Sequence, residues 1–92
     1  MEECDYRFTQ EKKVEVHHTL MEEKKVPELP FEVDHVSYLD GCKVYFKNGG
    51  WVVARFSGTE PLIRIFCEMP TAEEAKTVRE IYENFLELGK AN

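Results

Sequence analysis

The chain has no apolar run approaching the ~18 residues that cross a bilayer. Its first residues, MEECDYRF, are partly acidic and contain no apolar stretch of the kind a signal peptide needs, so no secretory leader is expected. Cysteine is scarce: Cys4, Cys42 and Cys67 are odd in number, widely spaced and in no CxxC. That excludes a disulfide framework and reads as reduced thiols in a cytoplasmic protein. His17, His18 and His35 stand in no ligand-like spacing with those cysteines, which argues against a zinc site. Positive charge is also short, with 12 Lys and Arg against 18 Asp and Glu and a net charge of −6. Such a chain repels nucleic acid and anionic membrane at long range, so neither is expected as a partner. Any anion bound here must be held by local contacts. There is no GxxxxGK[ST] phosphate loop, no internal repeat and no low-complexity segment.

What is present reads as one domain over residues 1–92. A chain of this size buries roughly 60–70% of its unfolded surface and folds to a radius of gyration of about 12 Å. Residues 1–8 look like a ragged lead-in. A helix is predicted from Thr9 to about Lys25, capped by Thr9, with apolar residues at Val14, His17, Met21 and at Val16, Leu20. The segment VPELP, residues 26–30, is a linker, because each proline favours an extended residue before it. Four strands are predicted at 32–39, 43–47, 51–56 and 62–68, separated by Asp40-Gly41, Asn48-Gly49-Gly50 and SGTEP. Thr71 with Glu74 forms a capping box, and Ala75, Val78, Ile81, Tyr82, Phe85 and Leu86 mark one face of a closing helix that ends near Gly89.

The predicted fold class is therefore α+β: a two-layer sandwich with a four-stranded antiparallel sheet and two helices on one face. Alternation assigns Val44, Phe46, Val52, Ala54, Phe56, Ile63, Ile65 and Cys67 to the helix side. The other side carries Tyr45, Trp51, Val53, Leu62 and Phe66 together with Arg55 and Arg64. That face is apolar enough to be expected to dock against something else.

The segment ARFSGTEPLIRIFCE, residues 54–68, carries the chemistry. A tight turn rich in Ser, Gly and Thr can aim backbone amides and two hydroxyls at one anion. Gly58 permits a positive φ and close approach. Arg55 and Arg64 bracket the turn, and an arginine offers a planar fork of donors that suits phosphate. The residues alone leave two readings open: a phosphate clamp, or a plain hairpin with two solvated arginines. Glu60 opposes an anion unless it orients one of the arginines. Ser57 has no histidine within a few residues to activate it as a nucleophile.

The run RFSGTEPLIRIFCE resembles the pattern R-x-S-G-T-E-P-x-x-R-x-[YF]-x-E of the α-D-phosphohexomutases, the phosphoglucomutase/phosphomannomutase family. The preceding DGCKVYFKNGGWVVA and the amphipathic helix afterwards are also similar to that family's C-terminal domain, over about residues 10–88. The resemblance implies a TATA-box-binding-protein-like fold. It implies a role in an isomerase that moves a phosphoryl group between positions 1 and 6 of a hexose, through a bisphosphorylated sugar. Within such an enzyme this domain grips the phosphate that is not being transferred, as a mobile lid. Carried onto this sequence, the gripping residues are Arg55, Ser57, Gly58 and Thr59, with Arg64 as a second arginine. The implied partners are a phosphosugar (a hexose 1- or 6-phosphate or 1,6-bisphosphate) and the remaining domains of a parent mutase. The family's T-x-S-H-N-P phosphoserine loop, D-x-D-x-D-R metal loop and G-E-x-S-G-H sugar loop are not in this sequence. No catalytic residue and no metal ligand is therefore expected here. Mg²⁺ belongs to another domain of the parent, and the chain alone is expected to be inactive. It reads as an excised domain or a split product.

Three other functions remain in play. A stand-alone phosphosugar-binding or regulatory module would carry the same site without catalysis. A sheet with exposed aromatics and two helices behind it also suits RNA, against which stand the charge, the element order and the lack of an RNP-like segment. A bare interaction domain needs no ligand at all.

Overall fold

Two threonines set where the helices begin. In this computed structural model, which describes residues 2–88, the Thr9 hydroxyl accepts from the Lys12 amide at 3.0 Å and caps α1 (Gln10–His17). The Thr71 hydroxyl accepts from the Glu74 amide at 3.1 Å and donates to the Glu74 carboxylate at 3.0 Å, starting α2 (Ala72–Phe85). α1 runs on as a π-helical turn over His18–Glu22, closed by the Glu23 amide on the His18 carbonyl at 2.8 Å. Lys24, at φ 57°, ends it. Of the two apolar rows predicted there, Val16 and Leu20 are buried, whereas Val14 is 62% exposed and His17 lies outside the core. The expected cap at Gly89 lies outside the described residues.

The sheet is antiparallel throughout and has five strands: β1 (Glu2–Arg7), β2 (Val33–Ser37), β3 (Cys42–Phe46), β4 (Trp51–Phe56) and β5 (Leu62–Glu68). Their order across the sheet is β1-β5-β4-β3-β2. β2 to β5 are the expected meander. The segment read as a ragged lead-in is instead the edge strand β1, paired along β5 from Glu2 opposite Cys67 to Arg7 opposite Leu62. The reason is visible in its alternation. Cys4, Tyr6 and Phe8 are partly buried while Glu3, Asp5 and Arg7 are exposed, a period-two pattern whose charged half masked it. The Tyr6 hydroxyl donates to the Glu83 carboxylate at 2.5 Å, tying β1 to α2.

Both helices cover one face. Val44, Phe46, Val52, Ala54, Ile63, Ile65 and Cys67 are buried there with Val16, Leu20, Val78 and Tyr82, and Phe56 packs at the margin. The radius of gyration is 12.4 Å, as expected for one domain of this length. Among the described residues no helix is long and apolar enough to cross a membrane.

Candidate functional site

Strand register decides the site. β4 and β5 pair so that Arg55 and Arg64 are directly opposite, and alternation places both on the face without helices. Their side chains are 49% and 48% exposed. Each arginine meets a carboxylate on its outer flank. Arg64 Nε lies 3.4 Å from Asp5 Oδ1, and Asp5 is its register partner on β1. Arg55 Nε lies 3.4 Å from Asp40 Oδ2, at the turn that leads into β3. The result is a row across the sheet: Asp5, Arg64, Arg55, Asp40. Gly41 makes room for this row. Its φ is +97°, and a Cβ there would stand 2.4 Å from the Ala54 carbonyl and 3.1 Å from Arg55 Cγ.

The strands end in the five-residue connection 57–61. The Ser57 amide donates to the Leu62 carbonyl at 3.2 Å, the last rung of the hairpin. Ser57 Oγ accepts from the amides of Thr59 at 3.3 Å and Glu60 at 3.2 Å. A hydroxyl has two acceptor sites and one donor proton, so this double acceptance leaves the Ser57 O–H to donate outward. Gly58 and Thr59 are exposed at the tip. Gly58 is not among the glycines with positive φ, and an added Cβ would meet nothing within 4 Å. The positive φ that Gly58 permits is not used: its absent side chain gives access rather than an unusual backbone.

Three residues early in the chain, Arg7, Phe8 and Lys13, hold the loop through four contacts, none of them legible in the sequence. Lys13 Nζ donates to the Ser57 carbonyl at 2.9 Å and to the Glu60 carbonyl at 3.4 Å. The Phe8 amide donates to the Pro61 carbonyl at 3.0 Å. Arg7 Nη1 pairs with Glu60 Oε2 at 2.8 Å. Of the roles the sequence leaves open for Glu60, orienting Arg55 or Arg64 is not the one adopted: its carboxylate pairs with Arg7. The alternation in residues 3–8 would have placed Arg7 on the open face. Nothing local marks Lys13, 44 residues from its nearer partner.

Beside Arg55 the open face has a shallow pocket of about 370 Å³, bounded by Asp40, Lys43, Tyr45, Trp51 and Phe66 among others. Lys43 Nζ lies 4.3 Å from the Trp51 ring centre and 4.8 Å from that of Tyr45, and His35 stacks on Tyr45 at 4.3 Å. Cation–π contacts thus occupy much of the aromatic surface. Among the described residues no three His, Cys, Asp or Glu side chains cluster as they would around a metal ion.

Fold and site together define an α+β domain with one hairpin that carries Arg55 and Arg64 as register partners and Gly58 and Thr59 at its exposed tip. Residues 7–84 match the family described as phosphoglucomutase/phosphomannomutase, C-terminal domain, and the chain belongs to that family. A probable phosphoglucosamine mutase of Methanosphaera stadtmanae is 37% identical over 68 residues, 74% of this chain and 15% of that protein. A second, of Methanothermobacter thermautotrophicus, is 39% identical over 56 residues, 61% of this chain and 12% of that protein. A phosphoglucomutase/phosphomannomutase of Thermococcus kodakarensis is 48% identical over 48 residues, 52% of this chain and 10% of that protein. The chain thus spans only a small part of the length of these curated relatives.

Proposed function

We propose that the β4–β5 hairpin grips the phosphate of a phosphosugar, on behalf of a phosphoglucomutase/phosphomannomutase-type enzyme. The observation that carries this is the direct pairing of Arg55 with Arg64. Among the described residues each arginine is neutralised only by an exposed carboxylate on its outer flank, which leaves two adjacent guanidiniums with donors to spare for a dianion. Arg55 supplies the fork of donors, Arg64 a second charge, Ser57 its free hydroxyl proton, and Gly58 and Thr59 an open approach to the backbone. Asp5 and Asp40 hold the two guanidiniums before the ligand arrives, and these solvent-exposed contacts are weak enough to yield.

The phosphate held is the one not transferred. The chain's part in the reaction is then positioning and charge stabilisation, the main levers in phosphoryl transfer. A grip built on exposed contacts can loosen without a large conformational cost, as a bisphosphorylated intermediate that must reorient requires. The phosphoserine, the Mg²⁺ it works with and the sugar-reading groups belong to other parts of such an enzyme, in the cytoplasm. Relatives named for glucosamine, for glucose or mannose, and for a pentose are all similar to this chain, which suits a site that reads phosphate rather than sugar.

Titrating the ¹⁵N-labelled 92-residue chain with glucose 1-phosphate, and separately with inorganic phosphate, tests this. Amide shifts confined to residues 55–64 with both ligands are expected. Shifts elsewhere, or none with either ligand at high concentration, would overturn the grip as a property of this chain.

A further inference from the structure

Two carbonyls of the loop accept from one ammonium group, Lys13 Nζ: that of Ser57 at 2.9 Å and that of Glu60 at 3.4 Å, the latter also taking the Leu62 amide at 2.8 Å. We infer that Lys13 is a positioning residue that sets which side of the 57–60 loop faces an anion; this rests on the phosphate reading above.

The argument begins with the peptide bond. In a planar trans peptide the C=O and the following N–H point in opposite directions. Holding the Ser57 carbonyl on the α1 side therefore turns the Gly58 amide away from α1, towards the exposed side of the loop. The same ammonium polarises that peptide, which makes its N–H a stronger donor. The Thr59 and Glu60 amides are already given to Ser57 Oγ, so of the three amides following Ser57 only that of Gly58 is turned outward. Residue 61 is proline and has no amide to offer. Lys13 thus selects one backbone donor and aims it, while its own charge stays behind the loop. Its position is itself fixed. It stands in the first turn of α1, four residues after the Thr9 cap, and its amide donates to the Thr9 carbonyl at 2.9 Å. The Arg7–Glu60 pair at 2.8 Å and the Phe8–Pro61 bond at 3.0 Å brace the loop's far end. The loop has no glycine at positive φ to lock its shape, so these outside contacts set it.

The test compares Lys13→Met, Lys13→Arg and Lys12→Met in the 92-residue chain. Lys12 sits on the same turn and pairs with Glu15 at 3.5 Å, so K12M removes the same charge without touching the loop. Two readouts are taken: ¹⁵N relaxation of residues 57–60 without ligand, and inorganic phosphate affinity with the Gly58 amide as reporter. K13M should raise loop mobility on the nanosecond scale, leave β4 and β5 unchanged, and weaken phosphate by about tenfold. K13R should restore both to near wild type, and K12M should change neither. Equal losses in K13M and K12M would reduce Lys13 to general electrostatics and overturn the inference. So would a K13M loop as ordered as the wild type. If wild-type protein binds no phosphate, the phosphate reading fails, while the ligand-free relaxation still decides whether Lys13 holds the loop. Should K13M not fold, Lys13→Gln carries the same comparison.

Discussion

Arg55 on β4 and Arg64 on β5 are register partners, and each leans outward to a carboxylate 3.4 Å away, Asp40 and Asp5 respectively. The row is balanced in charge when empty. An arriving dianion converts it from two separate ion pairs into one shared site. We expect Arg55→Ala to weaken phosphate binding by roughly 1.5–3 kcal/mol, the scale of one contact to a charged group. Because the side chain is half exposed, its removal should leave thermal stability nearly unchanged. The same NMR titration checks the first point and a melting curve the second. Wild-type affinity in the mutant would remove Arg55 from the site.

Asp40 competes with the ligand for Arg55. Replacing it by Asn keeps the shape and removes the charge. Exposed ion pairs are worth about 0.2–1 kcal/mol, so Asp40→Asn should tighten phosphate by roughly two- to fivefold. It should also steepen the loss of affinity on adding salt, since one screening charge has gone from the protein side. Isothermal titration at low and high NaCl separates the two effects. Weaker binding in Asp40→Asn would mean that aligning Arg55 matters more than freeing it.

How much of this could be read in advance depends on sequence distance. The meander, both threonine caps and the split between the two sheet faces rest on neighbours within a few residues. Alternation placed Arg55 and Arg64 on the open face, and the short SGTEP connection made them neighbours. β1 was missed because its outward half, Glu3, Asp5 and Arg7, reads as a solvated tail unless β5 is known to lie beside it. The loop's supports were missed for the same reason. Lys13 to Ser57 spans 44 residues and Arg7 to Glu60 spans 53, and charged residues give no pattern at that range. Val14 stands two residues from the buried Val16 in α1, about 200° around the helix, so the row it was assigned to faces away from the core.

Gly41, before the site in sequence, and Gly58, within it, should respond in opposite ways. Gly41 sits at φ +97° with backbone 2.4 Å from where a Cβ would stand. Gly41→Ala must move either the turn or β4, and should cost about 2–3 kcal/mol. It should also weaken phosphate binding, because the same Cβ would press on Arg55 Cγ at 3.1 Å. Gly58→Ala meets nothing within 4 Å, so its stability should stay within about 0.5 kcal/mol of wild type. Chemical denaturation of both variants decides. A large loss of stability in Gly58→Ala would contradict the loop conformation described here.

Stability should fall on the alkaline side, and the order in which groups cause this can be assigned. Burial in the apolar core pushes the Cys42 thiol up from 9.0 to about 11. Burial likewise raises the Tyr82 hydroxyl well above its usual 10.0, and burial with the Glu83 hydrogen bond raises Tyr6. Each group keeps its proton in the folded chain at a pH where the unfolded chain has lost it. The folded state then binds more protons, so stability decreases as pH rises. It is fully present below pH 9.0, begins to fall there as unfolded Cys42 ionises, and falls further above 10.0 as the tyrosines join. Melting temperatures from pH 7 to 11 under reducing conditions should be flat first and then drop. Cys42→Ala should remove the part of the slope that starts near pH 9 and keep the part above 10. An unchanged slope in Cys42→Ala would show that the thiol does not retain its proton through that window.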